Sequence, residues 1–482
     1  MPSLARCARS PCRVWLSRQF SDGIQRCFIS SAANAGTLRT SSVLMRPILN
    51  YRDVSENVVY KMSNAVNRKA PITPLAIQSV VRDYKSLKDL SSSLNAKRNT
   101  RSMIGDKIKK FGQEKNQEAL IACLEEAKTL KEEISQLEKT VSELEQSLLD
   151  TALLIPNDTH PNSPLGPESS AVTISSHGPN PGPASPHRDH HAISQSLGLV
   201  DFENAGIVTG ASWYYLKHEA ALLELALTNY AMSVAMKHGS DVAKRCGFQP
   251  RDQSDPLKSQ VYHVDSHLSS SSPKLILSGT SEIPLAGLCA NQLYPKSSLP
   301  LKMVGLGHAF RSEAGARGAD TRGLYRVHQF TKTESDRMME EMKNIQIAIF
   351  DGLGLPFRVL DMPTEELGAS AYRKYDIEAW MPGRGNWGEI SSLSNCTDYQ
   401  ARRLSIKYQR PVVNQQGTST HENVYVHTLN GTAAAIPRLI VALLENGATF
   451  DENGQLTGLR LPDVLRPFWL GQPIQRNIIQ WV

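Results

Sequence analysis

The stretch with the densest chemistry is Gly305–Asp336, GLGHAFRSEAGARGADTRGLYRVHQFTKTESD. An apolar run ends in Phe310, Arg311, Ser312 and Glu313, a Gly/Ala/Arg segment follows, and the alternating LYRVHQFTKTE closes it. Alternation predicts two antiparallel strands, and Gly315, Gly318 and Gly323 predict a long loop between them. Arg311, Arg317, Arg322 and Arg326 would border one groove. Guanidinium forks there can hold a phosphate while Glu313 accepts from an amino group; a solvated charged hairpin is the alternative. Upstream, Lys274–Glu282 reads as a short apolar strand ending in Thr280, Ser281 and Glu282. Hydroxyl and carboxylate at a strand end suit an ammonium and a small polar ligand, or else cap the next helix. Downstream, Glu389, Ile390, Ser391 and Ser392 lead into LSNCTDYQARR, which by itself could be an ordinary edge strand. Last, His427–Asn446 reads as a strand carrying Asn430 and Thr432, a small-residue turn, then an amphipathic helix with Arg438 near its start.

These blocks, in this order, resemble the signature motifs of class II aminoacyl-tRNA synthetases in the form found in seryl-tRNA synthetases. The resemblance spans about residues 73–470 and implies the site. Arg311 would hold the ATP α-phosphate and neutralise the charge that builds on it, with Ser312 beside it. Glu313 would meet the adenine amino group, Phe330 would stack on the purine, Val327 would supply backbone contacts, and Arg326 would lie on the pyrophosphate side. Thr280, Ser281 and Glu282 would recognise serine together with Arg311, Glu334, Asn430 and Thr432. Glu389 and Ser392 would ligate Mg²⁺ on the ATP phosphates, an oxygen-rich hard site, flanked by Ile390 and Ser391. Arg438 would bind the γ-phosphate. Arg311, Arg438 and Glu389 are thus the expected catalytic set, with ATP and Mg²⁺ as cofactors and no zinc. L-serine and tRNA(Ser) are the implied substrates and a homodimer the implied assembly.

Elements must position these groups. The implied fold is α+β: an antiparallel class II sheet flanked by helices, preceded by an antiparallel helical arm. Leu130, Ile134, Leu137, Val141, Leu144 and Leu148 recur at steps of four and three, an a/d seam. Ile77, Val81, Tyr84, Leu87 and Leu94 supply a second stripe, and Gly105–Gly112 is the expected turn of a helical hairpin. Residues 73–118 carry ten Lys/Arg against five acids, whereas 119–150 carry three against eight. Lys97, Arg98, Arg101, Lys107, Lys109, Lys110 and Lys115 gather towards the tip. They can track a phosphate backbone or form salt bridges along a solvated coiled coil. Seryl-tRNA synthetases use a similar arm to grip tRNA, which implies tRNA binding by Lys97, Arg98, Arg101, Lys107, Lys109 and Lys110.

The domain reading is 1–46 transit peptide, 47–155 helical arm with an extended start (PILNYRDVSENVVY), 156–187 linker, and 188–482 catalytic domain. Residues 156–187 hold eight prolines among Asn, Ser, Gly and His, a composition unable to bury a core. The run from His187 to His191 could suggest a metal cluster, but it lacks a third spaced ligand group. The helix around His218–Met236 is expected on the sheet or at a dimer interface. After Gly239 the chain departs from the family pattern: about ten residues, including the proline that helps build the dimer interface, are missing by comparison. That departure keeps open a synthetase-like protein that binds RNA without aminoacylating.

Composition bounds the rest. With 482 residues, 40% hydrophobic and 21% charged, the chain suits a globular protein of several domains. No apolar run approaches the roughly 20 residues of a membrane span. Seven cysteines without metal spacing argue for a reducing compartment. Residues 1–46 hold seven arginines, no lysine and one acid, Asp22, and so account for the whole net charge of +6. Such an Arg/Ser-rich, acid-poor leader is of the mitochondrial type, with a disordered basic tail as the alternative; as a transit peptide it would place the protein in the mitochondrial matrix. The remaining chain is formally neutral, so an acidic partner must be met by local patches.

Overall fold

The computed structural model describes residues 38–39, 44–114, 116–210, 213–237, 263–264, 275–277, 279–310, 324, 329–335, 339–413, 419–471 and 478–482. The leader's processing region, the departure after Gly239, and Arg311, Ser312, Glu313, Arg317, Arg322, Arg326, Val327 and Lys115 lie outside the described residues, as do the side chains of Phe330 and Glu334.

Ahead of the arm lie two short helices, α1 (Tyr51–Glu56) and α2 (Val58–Asn67). The extended start expected there is therefore corrected. Asn50 caps α1 by accepting from the Asp53 N–H, and Val54 and Ala65 are buried with Ile77, Val80 and Leu148 at the base of the arm. The arm itself is α3 (Pro74–Gln113) against α4 (Gln117–Ala152). Thr73 caps α3 ahead of Pro74 at its first turn, the placement that Pro tolerates. Leu130, Ile134 and Leu148 of the seam are buried, as are Ile77 and Leu94 on the facing helix. The turn is not at Gly105–Gly112, both of which stay inside α3 with open space where a Cβ would stand. It falls instead before Asn116, whose side chain accepts from the Ala119 N–H to start α4. The cap outcompetes two glycines that cost a helix only about 1 kcal/mol each.

A seven-stranded sheet follows. Its strands are β1 (Val172–His177), β2 (Val304–Phe310), β3 (Gln329–Ser335), β4 (Phe357–Asp361), β5 (Arg373–Met381), β6 (Asn386–Thr397) and β7 (Thr428–Ala435). They lie in the order β1-β4-β5-β6-β7-β3-β2, and every pairing is antiparallel. β2 and β3 form the hairpin expected from Gly305–Asp336, with Val304 opposite Ser335 and Phe310 opposite Gln329. Helices α5 (His190–Ser196), α6 (Glu219–Lys237), α7 (Met339–Gly352) and α9 (Ile436–Gly447) share one core with the sheet, while α8 (Tyr399–Leu404) follows β6. That core contains Leu223, Ala226, Leu227 and Tyr230 of α6, with Tyr375, Ile377, Ala379, Ile390 and Leu393 of the sheet. α6 thus packs on the sheet.

The proline-rich stretch 156–187 does not behave as a linker: it supplies β1, an edge strand of the sheet. Val172 pairs with Asp361 and His177 with Phe357, and the His177 ring stacks on Phe357 at 4.8 Å. Composition misleads here because β1 buries little and gains its place through ladder hydrogen bonds to β4. Gly178 ends the strand with φ +73°, where an added Cβ would stand 2.1 Å from the Leu355 carbonyl oxygen. Gly178→Ala should therefore cost roughly 1–3 kcal/mol, since neither the left-handed φ nor the close approach admits a side chain. The check is the urea midpoint of unfolding. An unchanged midpoint would mean that the β1 edge is outside the cooperative unit.

Candidate functional site

Strand register collects the candidate residues on one sheet face. Cross-strand partners share a face: Asp376 lies opposite Ser392, Glu378 opposite Glu389, Ser394 opposite Asn430, and Thr432 opposite Glu334. The alternate positions, Tyr375, Ile377, Ala379 and Leu393, enter the helix-covered core. Glu389 and Ser392 are three residues apart, an odd spacing that would put them on opposite faces of a regular strand. A bulge resolves this. Ile377 pairs with Ser391 and Glu378 with Glu389, leaving Ile390 as an extra, fully buried residue. The bulge turns both oxygen donors to the same side.

Arg438, in the first turn of α9, reaches β6 and donates from Nη1 to the Glu389 carbonyl at 2.9 Å and to its carboxylate at 3.0 Å. Ser392 Oγ lies 3.3 Å from Thr432 Oγ1, and the Ser391 hydroxyl donates to the Thr432 carbonyl. Buried Gln346 of α7 fixes the two strands from behind, its Nε2 donating to the carbonyls of Ser392 at 3.0 Å and Thr432 at 2.9 Å. Glu389, Ser392 and Thr432 offer only oxygen, the donor set that suits a hard cation such as Mg²⁺.

Thr280 and Ser281 are buried, and Ser281 Oγ occupies the space where a Cβ on Gly307 of β2 would stand. Glu282 opens a helix (Glu282–Leu288). Its carboxylate accepts from Gln400 Nε2 at 2.8 Å, and Gln400 Oε1 accepts from Thr428 Oγ1 at 2.7 Å. Gln400 therefore ties Glu282 to the strand of Asn430 and Thr432. Asn430 Nδ2 donates to Cys396 Sγ at 3.2 Å. The structure brings Glu389, Ser392, Asn430 and Thr432 together and joins Glu282 to them; Phe330 and Glu334 are placed by strand register alone.

Sequence reasoning missed several contributors. Lys374 Nζ lies 2.5 Å from Asp376 Oδ2, on the face of Glu389 and Ser392. Asp376 Oδ1 is buried without a hydrogen-bond partner. Desolvation, reinforced by the Glu389 and Glu378 carboxylates, raises the Asp376 carboxyl to about 7, against the opposing pull of Lys374. The alternation in KYDIE could have flagged the pair; Gln346 and Gln400 had no such signal. The histidine stretch resolves into hydrogen bonds. The Glu445 carboxylate accepts from His190 Nδ1 at 2.8 Å, and from the N–H groups of Gly383 at 2.7 Å and Arg384 at 3.2 Å. His190 Nε2 in turn accepts from the Leu324 N–H at 3.4 Å. Asp189, His190 and Glu445 come within 4.8 Å of one another; the donors already filling Glu445 make this a packing knot that joins α5, α9 and the β5–β6 turn.

On the arm, Lys97 pairs with Glu133 at 2.6 Å and Arg98 with Glu138 at 2.7 Å across the hairpin. Lys109 and Lys110 make longer pairs within α3 and with Glu114 at its end, and Arg101 and Lys107 are exposed. Exposed pairs of this kind are worth about 0–1 kcal/mol.

Comparison with known proteins follows the same division. A family model described as "tRNA synthetase class II core domain (G, H, P, S and T)" matches residues 262–447, and one described as "Seryl-tRNA synthetase N-terminal domain" matches 50–159. The chain is 38% identical over 444 residues to a serine–tRNA ligase of Treponema denticola, covering 87% of this chain and 98% of the relative. It is 38% identical over 471 residues to a mitochondrial serine–tRNA ligase of Schizosaccharomyces pombe (92% and 93% covered). With the mitochondrial serine–tRNA ligase of Saccharomyces cerevisiae it shares 37% over 463 residues (90% and 97%). A crystal structure of seryl-tRNA synthetase from Pyrococcus horikoshii complexed with ATP superposes with a TM-score of 0.73 at 30% identity, covering 88% of this chain and 99% of that one.

Asp376 yields a pH prediction. Its folded carboxyl titrates above the ordinary 3.8, so the folded state binds more protons than the unfolded one between about 4 and about 7, and stability falls as pH rises through that window. The melting temperature of Asp376→Asn relative to the parent should rise from pH 4 to 7 and level off above. A difference that shrinks with pH would contradict the assignment.

Proposed function

Because the chain belongs to the seryl-tRNA synthetase family, we propose that it activates L-serine with ATP and transfers the seryl group to the 3′ end of tRNA(Ser). The observation that carries this reading is the single sheet face on which Glu389, Ser392, Thr432 and Asn430 stand together, with Arg438 bonded to Glu389. Glu389 and Ser392 would hold Mg²⁺, which when bound draws charge from the ATP phosphates. Arg438 would exchange its Glu389 contact for the γ-phosphate, keeping the triphosphate bent, and Arg311 would bind the α-phosphate. Glu313 and Phe330 would hold the adenine, with Val327 and Arg326 beside them.

In this account a serine carboxylate oxygen attacks the α-phosphorus in line. A new P–O bond forms while the bond to the bridging oxygen breaks and pyrophosphate departs. The carboxylate is already a nucleophile, so positioning and charge neutralisation supply the catalysis. The terminal ribose hydroxyl of the tRNA then displaces AMP from the adenylate. Thr280, Ser281, Glu282, Glu334, Asn430 and Thr432 would surround serine. Alanine is rejected because it leaves Glu334 and Thr432 unpaired, and threonine because its methyl has no room. The arm would grip the tRNA through Arg101, Lys107, Lys109 and Lys110, with Lys97 and Arg98 released from their carboxylates. The arginine-rich leader and the two yeast mitochondrial relatives support a role in mitochondrial translation in the matrix, although the bacterial relative is equally similar. A homodimer is the assembly that the family resemblance implies.

Serine-dependent ATP–pyrophosphate exchange tests the reading. The full chain should exchange with serine and not with alanine or threonine. Arg311→Ala should abolish the exchange, and Arg438→Ala should lower it by about a hundredfold, the scale of losing one charge-stabilising group. A folded chain without exchange would overturn the proposal.

A further inference from the structure

β6 carries a second bulge near its end. Ser394 pairs with Asn430 and Asn395 with Leu429, after which Thr397 pairs with Thr428, leaving Cys396 as the extra residue. Thr397 adopts φ +45°. This left-handed conformation is uncommon for any residue with a Cβ and a genuine outlier for a β-branched one. Such strain costs of order 1–3 kcal/mol and persists only where the surroundings enforce it. Two asparagines hold it: Asn395 Oδ1 accepts from the Thr397 N–H at 2.9 Å within the strand, and Asn157 clamps the bulge from outside. Its Nδ2 donates to the Cys396 and Ser370 carbonyls, each at 2.9 Å, and the Thr397 hydroxyl, 3.0 Å from Nδ2, donates to Asn157 Oδ1 at 3.3 Å. The Asn157 backbone N–H donates to the Ala369 carbonyl at 2.8 Å.

Asn157 is itself held from the arm side. Its carbonyl accepts from Arg68 Nη1 at 2.7 Å and from Asn64 Nδ2 at 3.0 Å, and Arg68 Nη2 donates to the Gly368 carbonyl at 2.5 Å. Arg68 and Asn64 are both buried. On the far side, the residue that the bulge displaces, Cys396, is fully buried and presents Sγ to Asn430 Nδ2 at 3.2 Å. A continuous chain of contacts therefore runs from the base of the arm, through Arg68, Asn157 and the strained Cys396–Thr397 bulge, to Asn430.

We propose that Asn157 is a positioning residue for the amino-acid end of the site: it holds the Cys396–Thr397 bulge in its strained form, and the bulge in turn aims Asn430 at serine. This rests on the reading of Asn430 as a serine-facing residue. The phosphate end lies earlier on β6, at Glu389 and Ser392, ahead of the bulge and without a contact to Asn157. The effect is accordingly confined to serine.

The test is serine-dependent exchange by the full chain, with serine and ATP varied separately. Asn157→Ala should raise the serine KM by about tenfold and leave the ATP KM within about twofold, the signature of lost binding at one end only. Adding Thr397→Gly to Asn157→Ala should bring back most of the serine affinity, because glycine accepts φ +45° without a clamp. A merely structural role for Asn157 would give no such rescue. Cys396→Ala, at the other end of the chain of contacts and at little risk to folding, should raise the serine KM in the same selective way. Serine and ATP KM values rising together, an unchanged serine KM, or a double variant no better than Asn157→Ala would each overturn the inference while leaving the synthetase reading intact. Absence of exchange in the parent chain would remove the serine site, and this inference with it.

Discussion

One extra residue in one strand organises the site. Ile390 is buried in the core, and its insertion into β6 opposite Ile377 and Glu378 lets Glu389 and Ser392 face the same way. Without it, the two-residue period of the strand would send one oxygen donor into the helical layer, where an unsatisfied polar group costs several kcal/mol. The hydrophobic side chain pays for the irregularity: burying isoleucine behind the sheet pins the register that exposes the two donors in front. A shift of one residue would exchange Leu393 and Ser392 between core and site.

The same logic recurs at each edge of the site, where the holding contacts come from side chains behind or beside the sheet. Gln346 reaches from α7 to two carbonyls on adjacent strands, so helix packing and strand alignment are set by one amide. Gln400 links Glu282 to β7, and the Glu445–His190 knot fixes the start of α5 against the β5–β6 turn. They keep the facing groups within the narrow tolerance that positioning catalysis needs.

The arm seam was legible because Leu130, Ile134 and Leu148 repeat at coiled-coil spacing, and the β2–β3 hairpin because alternation and glycines coincide. That Glu389, Ser392, Asn430, Thr432 and Arg438 come together was legible through motif order, not through periodicity; strand alternation alone would have separated Glu389 from Ser392. Three readings failed for physical reasons. Residues 51–67 form two short helices, the first capped by Asn50, whose Val54 and Ala65 pack on the arm's base. β1 is an edge strand whose pairing is made by backbone groups that composition does not reveal. The arm turns at the Asn116 cap, while Gly105 and Gly112 are tolerated inside α3. Lys97 and Arg98 show a different limit: charge counts identified a basic helix, but only the fold shows which carboxylates stand opposite.

The central claim is that one sheet face binds both ends of an aminoacyl-adenylate. Its most direct measurement is a crystal structure of the full chain with a non-hydrolysable seryl-adenylate analogue. The account predicts the seryl group against Asn430 and Thr432 and the phosphate-like group directed towards Glu389 and Ser392, with the Ile390 bulge unchanged. An analogue bound elsewhere, or a β6 strand in which Glu389 and Ser392 face opposite sides, would contradict it.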